Sequence, residues 1–379
     1  MYSLDFSQDE LERAARYHRP RYLSFALDAV AAASVLAVLE WAWAGPWQLV
    51  DGLGYAGSAA AYAGVVSLGL GVAALPVSFW RGYVRERRWG FSTQDLGGWL
   101  ADVAKGQGLE LVVLAGFWAG LVGLARAFPS AWPAVAAPLA AFAVFLLAFV
   151  APVVLEPIFN HFRSLEDERL AGELRAIAER AGVPVRDVLV ADASRRTTKV
   201  NAYVSGLGST RRVVLYDTLL ESADEDELKL VVAHEVGHRR ERHVAKFTAG
   251  ATAGAAAWIV LLWALLGNRL ASPRELPLVL LVSTGLRLVV SPLMTWIARR
   301  YERIADRFSL ELTHDLPAYE RTHLELARRN LGDLAPPKLV YWLLFSHPTA
   351  PERLALGRAW ARGSGPSGLT SLSGGFARQ

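Results

Sequence analysis

Apolar residues gather into six long stretches, at roughly 23–45, 56–80, 108–127, 133–154, 247–268 and 276–298. A helix of about 20 such residues crosses the hydrocarbon layer of a bilayer. The second, fourth and fifth stretches carry no charged side chain. The first contains Asp28 and Glu40, the sixth contains Arg287, and Glu110 and Arg126 bracket the third. Helices buried in a large soluble protein can also be apolar, but charge-free runs this long are rare outside lipid. The pattern predicts a mostly α-helical, polytopic membrane protein.

The polar positions between the stretches orient it. Arg13, Arg16, Arg19 and Arg21 precede the first, and Arg81, Arg85, Arg87, Arg88 and Lys105 lie between the second and third. The turns after the first and third hold no Lys or Arg, and the turn after the fifth holds only Arg269 and Arg274. The positive-inside rule then puts both termini, the 81–106 loop and the 158–246 segment in the cytoplasm. The expected organisation is a cytoplasmic N-terminal segment over 1–22, four spans within 23–157, half of a cytoplasmic domain over 158–246, two spans within 247–298, the other half over 299–362, and a flexible Gly/Ser-rich tail over 363–379. The expected location is the plasma (inner) membrane.

Within the first polar half, Leu165, Leu170, Leu174 and Ile177 share one face of a helix predicted near 163–182. Strand-like runs follow at 188–190, 201–204 and 212–216, so a small β-sheet is expected. Ser222-Ala223-Asp224-Glu225 has the capping-box pattern. It opens a helix that runs through Leu228–Ala233 into His234-Glu235-Val236-Gly237-His238.

Composition narrows the chemistry. Of 379 residues, 53% are hydrophobic and 20% charged, which excludes disorder as the main state. Lys and Arg number 40 against 36 Asp and Glu. A balance that close points away from nucleic acid as a partner. The lipid bilayer is the expected environment. The chain has no cysteine, so disulfides, thiolate nucleophiles and thiolate metal sites are all excluded. The acidic, arginine-rich first 21 residues do not form a cleavable signal peptide.

His234 to His238 reads HExxH. Residues four apart lie one helical turn apart on the same face, so both imidazoles can reach one zinc ion. Glu235 points about 100° from His234, near enough to take a proton from a zinc-bound water. An ordinary charged helix can carry the same residues by chance. His243 is nine residues from His234, about 180° round a continuing helix, and cannot share a metal with it. Without cysteine, a third ligand must be Asp, Glu or His from elsewhere. Arg299-Arg300-Tyr301-Glu302-Arg303-Ile304-Ala305-Asp306 follows the sixth stretch. Glu302 as ligand with Asp306 one turn later orienting a ligand histidine is one reading. A solvated acidic pair among arginines is the other.

HExxH followed, two spans later, by ExxAD resembles the integral-membrane zinc metallopeptidases of the type I CAAX prenyl endopeptidase kind, with the heat-shock membrane proteases as more distant relatives. Asn201-Ala202-Tyr203 resembles that family's edge-strand motif, residues 212–219 its strand before the catalytic helix, and Ser346-His347-Pro348 with Arg353 its C-terminal motif. Residues 86–92 and 157–160 resemble its cytoplasmic loop and the exit of a span. The similarity runs from about residue 10 to 357 and marks a bacterial-type relative. The eukaryotic members carry seven spans, one before the segment resembling 8–25, so this chain is expected to lack the first.

The resemblance implies an HExxH gluzincin-like domain, split between 158–246 and 299–362, that hydrolyses peptide bonds. It implies one zinc ion per chain held by His234, His238 and Glu302, with Glu235 as general base. It makes His347 a stabiliser of the oxyanion. Asp306 becomes either an orienting group or a proton donor, and His243 a support for the ligands. Asn201, Ala202 and Tyr203 would bind the peptide as an added strand. Arg353 would bind substrate or brace the His347 loop. The expected partner is a peptide or protein, with or without a lipid. Arg287 would line an interior chamber, with Asp28 and Glu40 as candidate partners. An idle, peptide-binding relative would have no need of the full ligand set and Glu235. A transporter would not carry a long charged segment with metal spacing. A site-2-type protease would place its motif inside an apolar span, whereas Arg239, Arg240, Glu241 and Arg242 follow this one.

Overall fold

The computed structural model describes residues 5–206 and 211–363. α1 (Gln8–Ala37) starts at Ser7, whose hydroxyl accepts the Glu10 amide while the Glu10 carboxylate accepts the Ser7 amide. That reciprocal cap fixes the helix start inside the charged N-terminal stretch, so the first span and the segment before it are one helix. α2 (Gly54–Phe79) continues through a widened turn into Arg85–Arg88. α3 (Leu96–Ala127) begins well before its apolar stretch, which leaves only residues 89–95 of the 81–106 loop outside a helix. α4 (Trp132–Val150) completes the first group.

The first polar half opens with β1 (Phe162–Ser164), then α5 (Glu168–Arg180), β2 (Asp187–Ala191), β3 (Ala202–Ser205), β4 (Arg212–Tyr216) and α6 (Glu225–Arg240). The helix expected from 163 therefore starts five residues later. Phe162–Ser164 pairs instead with Leu189–Ala191. Asp167 caps α5 by accepting the Leu170 amide. The cap of α6 is also displaced. Asp224 accepts the Glu227 amide at 2.8 Å, while Ser222 closes the preceding turn by donating to the Thr218 carbonyl. The sheet order is β1-β2-β4-β3, with β2 parallel to β4 and the outer pairs antiparallel. β3 is thus an edge. Leu174 and Ile177 of α5 pack with Val188, Val213 and Leu215 of the sheet and Leu228, Val232 and Val236 of α6.

α7 (His243–Leu266) and α8 (Leu276–Thr313) follow. α9 (Leu316–Arg329), α10 (Lys338–Leu344) and α11 (Ala350–Ala361) form the second polar half. Among the described residues six helices, within 8–42, 45–88, 96–127, 132–150, 243–271 and 273–313, are long and apolar enough to cross a membrane. Tyr62, Val66, Trp118, Trp132, Ile259 and Leu262 are buried between them, whereas Val112, Phe142, Leu147, Trp263 and Val289 face outward. An outward apolar face suits lipid. The expected tail lies outside the described residues, apart from Gly363.

α8 runs several turns beyond its apolar stretch, and this extension packs on α6. Gly237 permits the approach: a Cβ there would stand 3.0 Å from the Phe308 ring and 3.4 Å from the Ala305 Cα. Two helices that close bring the HExxH turn against Glu302 and Asp306.

Candidate metal centre

His234 and His238 project from one face of α6, and Glu302 reaches them from α8. The two Nε2 atoms lie 3.2 Å apart. Glu302 Oε2 is 3.4 Å from His234 Nε2, and its Oε1 is 3.3 Å from His238 Nε2. Donors about 2.0–2.1 Å from a tetrahedral zinc stand about 3.3–3.4 Å from one another, so this triangle fits such an ion. Among the described residues it is the one cluster of three His or acidic side chains with ligand atoms within 4.8 Å of one another.

The far ring nitrogens are engaged by protein, which is how ligand histidines are aimed. His234 Nδ1 is 2.9 Å from Asp306 Oδ1. His238 Nδ1 is 3.0 Å from His243 Nδ1. The opposite side is where a continuing helix would put His243, but α6 ends at Arg240. Arg242 takes a left-handed conformation, φ 56°, and His243 begins a new helix. There it is buried and stacks 4.1 Å over Tyr301.

Asp306 is fully buried behind His234 and does not line the cavity. Arg353 of α11 pairs with Glu302 and holds its Nε 3.3 Å from Asp306 Oδ2. The cation offsets two adjacent carboxylates. Burial pushes the His234 imidazole down, but the Asp306 and Glu302 carboxylates outweigh it and hold it up at about 10. Burial raises the Glu235 carboxyl above its ordinary value, against the pull of His234 and His238. A raised value suits a group that must take up and return a proton near neutrality.

Glu235 lines a cavity of about 430 Å³ with the ligands, Ala202, Asn330, His347 and Arg353. Glu235 makes no hydrogen bond or ion pair with a described residue. His347 sits where this cavity meets two others, and its Nε2 is 3.3 Å from Glu302 Oε1. The edge of β3 forms the remaining wall. The Asn201 carbonyl accepts the Tyr216 amide, on the β4 side. Alternation turns the main-chain groups of Ala202 and Val204 the other way. Arg239 occupies the Val204 carbonyl. The Tyr203 hydroxyl donates to Glu156, 3.2 Å away, so that side chain faces away from the metal ligands.

Three contributors carry no local sequence signal. His323 of α9 lies 3.7 Å from Asp306 Oδ1, and burial together with the Arg353 cation pushes it down to about 3, which keeps it neutral. Lys199 donates to Tyr17 and Glu86, tying α1 and the helical extension of α2 to the segment before β3. Asn330 clamps Val200. Arg287 is exposed on α8. Its anticipated partners are taken: Asp28 pairs with Arg81 and Glu40 with Arg269.

Residues 164–361 match the family model described as Peptidase family M48. The chain belongs to that family. Residues 3–161 match the CAAX prenyl protease N-terminal model, described as five membrane helices; among the described residues, four long apolar helices fall in that range. Relatives of this M48 peptidase include the uncharacterized metalloprotease YhfN of Bacillus subtilis, 30% identical over 308 residues, 76% of this chain and 71% of that one. CAAX prenyl protease 1 of Saccharomyces cerevisiae is 27% identical over 309 residues, 74% of this chain and 67% of that one. The crystal structure of S. mikatae Ste24p has the same fold, with a TM-score of 0.84 at 22% identity, covering 94% of this chain and 91% of that one. The M48 chain is an integral, multi-pass membrane metalloendopeptidase with a mostly helical fold and a small sheet, as its apolar pattern and HExxH predict.

Proposed function

We propose that this M48 peptidase uses one zinc ion per chain to cut peptide bonds at the cytoplasmic face of the plasma (inner) membrane. The observation that carries the reading is the convergence of His234, His238 and Glu302 beside Glu235 and the Ala202 end of the β3 edge. Zinc held by those three residues supplies Lewis acidity, polarising a carbonyl and acidifying a water. The chain's own groups do the rest. Ala202, with Asn201 and Tyr203 flanking it, aligns an extended peptide along the strand edge. The Glu235 carboxylate takes a proton from the attacking water and passes it to the leaving amine. The His347 Nε2–H donates to the oxyanion that develops on the scissile carbonyl. The burial of Asp306 behind His234 favours orientation of that ring over proton donation to substrate. His243 does the same for His238, and Arg353 holds Glu302 and Asp306 ionised and in position.

The domain is bipartite, 158–246 and 299–362, because the second half returns the third ligand after two spans. Lipidated CAAX peptides are the substrate class suggested by relatives named CAAX prenyl protease. The test compares cleavage of a farnesylated peptide and its unlipidated twin by wild type and by Glu235→Gln. Wild type is expected to cut the farnesylated peptide faster; equal rates for the two would remove lipid recognition from the reading. Orientation is tested separately. Reporters fused after residues 50 and 130 are expected outside, and those after 95 and 230 inside; the reverse pattern would move the site to the other face.

A further inference from the structure

α10 turns two large apolar side chains outward. Leu339 is 71% exposed and Trp342 64%. Three residues apart on a helix, they share one face. The side that carries Tyr341 is fastened to protein. The Arg299 guanidinium of α8 stands 4.4 Å from the centre of the Tyr341 ring, and the Tyr341 hydroxyl donates to the Glu352 carboxylate of α11 at 2.9 Å.

α8 sets the level at which the outward face lies. Thr295, in the last turn of the sixth apolar stretch, donates its hydroxyl to the Trp342 carbonyl. Arg299, one turn further on, donates to the carbonyls of Tyr341, at 3.0 Å, and Phe345. α10 is therefore held beside the end of a span, next to the outward side chains Leu293 and Trp296 of α8. Apolar side chains at that level meet the boundary between hydrocarbon and headgroups, a layer in which Trp is enriched. Cations surround the same place. Arg300 stands 6.0 Å from the centre of the Trp296 ring, Arg303 follows Arg299 by one turn, and Lys338 precedes Leu339. Lys338, Arg300 and Arg303 make no ion pair with a described residue. Unpaired cations beside an outward Leu and Trp match lipid with a negatively charged headgroup.

α10 also leads directly into the metal centre. Phe345, whose carbonyl Arg299 holds, is followed two residues later by His347, and His347 Nε2 lies 3.3 Å from Glu302 Oε1. We propose that α10 is an interfacial helix that seats Leu339 and Trp342 in an anionic bilayer, with Lys338, Arg300 and Arg303 on the lipid phosphates, and that this seating holds the His347 loop in place. The lipid surface rests only on α8 crossing the membrane. Its link to turnover rests also on the proposed role of His347. Each Lys or Arg at an anionic surface is worth about a fivefold change in partition, so the loop is steadied more by an anionic bilayer than by a neutral one.

The test uses the full-length protein in vesicles of phosphatidylcholine alone or of phosphatidylcholine and phosphatidylglycerol in equal amounts. Because the chain has no cysteine, Leu339→Cys offers a single site for a nitroxide. Val289→Cys, on the outward face of a span, and Asp226→Cys, at the far end of α6 from α7, give the lipid and water references. Relaxation by dissolved oxygen reports lipid, and relaxation by a water-soluble nickel chelate reports water. In the mixed vesicles the label at 339 is expected to follow the one at 289, and in phosphatidylcholine alone to shift toward the one at 226. A label that follows 226 in both vesicles overturns the proposal. So does one shielded from both reagents, which would mean that a second copy covers the face, and so does equal immersion in both vesicles.

Turnover is read on unlabelled protein with an uncharged peptide, so that lipid charge does not gather substrate. kcat is expected to be about fivefold higher in the mixed vesicles with KM nearly unchanged. Arg300→Glu combined with Lys338→Glu, both exposed positions, should erase that difference and leave kcat in phosphatidylcholine at the wild-type value. A wild-type kcat indifferent to lipid charge overturns the link to His347 whatever the label shows. Wild type that cuts no peptide in either vesicle would overturn the peptidase reading and that link with it, while the label would still decide the lipid surface.

Discussion

Glu302→Ala is expected to strip the metal from the purified protein and bring proteolysis to background. Two imidazoles from one helical turn supply only two donors, and the third arrives from α8 across the α6–α8 contact. A catalytic zinc site needs three protein ligands and one open position. The substitution also releases Arg353, which loses one of its two carboxylates while keeping its charge beside the histidines. That cation would then repel a divalent ion. Loss of a supporting partner behind a ligand typically costs about 10–100-fold in metal affinity, and loss of the ligand itself should cost more. Metal content per chain, measured by mass spectrometry after dialysis, checks this. Wild type should carry close to one zinc; Glu302→Ala should carry almost none. Unchanged metal content in the variant would remove Glu302 from the ligand set, and with it the reason for the bipartite domain.

The parts of this molecule that could be read from sequence are those in which neighbours along the chain are neighbours in space. Apolar runs of membrane length and the four-residue spacing of His234 and His238 both follow from helix geometry alone. Glu302 was visible as half of a second four-residue pair, but the pairing of α6 with α8 depends on tertiary packing at Gly237. The misread positions share a cause. Helix geometry turns His243 away from His234 only on a continuing helix; this one stops at Arg240, and nothing local announces the stop: no glycine or proline interrupts Arg239 to Val244, and the left-handed turn falls on Arg242. Ser222 and Asp224 are both good caps two residues apart, and tertiary context awarded the position to Asp224. Phe162–Ser164 became a strand because β2 offered it a free edge, an option a helical period cannot reveal. Hydropathy also shortened α1, α3 and α8, since an amphipathic extension into water does not register as apolar. His323, Arg353 and Asn330 act on groups that lie 17, 51 and 130 residues away along the chain. Arg353 became visible only through the family resemblance, and His323 and Asn330 not at all.

Glu235→Gln is expected to keep the zinc and lose turnover by about 10²–10⁴-fold, the range that a positioned acid–base group contributes. Glu235 shares the HExxH turn with the ligands but belongs to a different face, and no described side chain holds its carboxylate. A structural carboxylate would be paired; Glu235 stands outside the group of His234, His238 and Glu302 and faces the cavity beside Ala202 and His347. Burial raises its pKa above the ordinary carboxyl value, which increases its basicity toward a water proton. Glutamine preserves the shape and the hydrogen-bonding reach but cannot accept a proton. The variant should therefore bind peptide with nearly unchanged affinity, so the loss should appear in kcat rather than KM. Its metal content should match wild type, in contrast to Glu302→Ala. These two measurements separate proton transfer from metal binding at adjacent residues. Wild-type turnover in Glu235→Gln would move the general base elsewhere, and His347, which borders the same cavity, would be the next side chain to test. Loss of both zinc and turnover would instead mean that Glu235 supports the metal centre and that its carboxylate is not free.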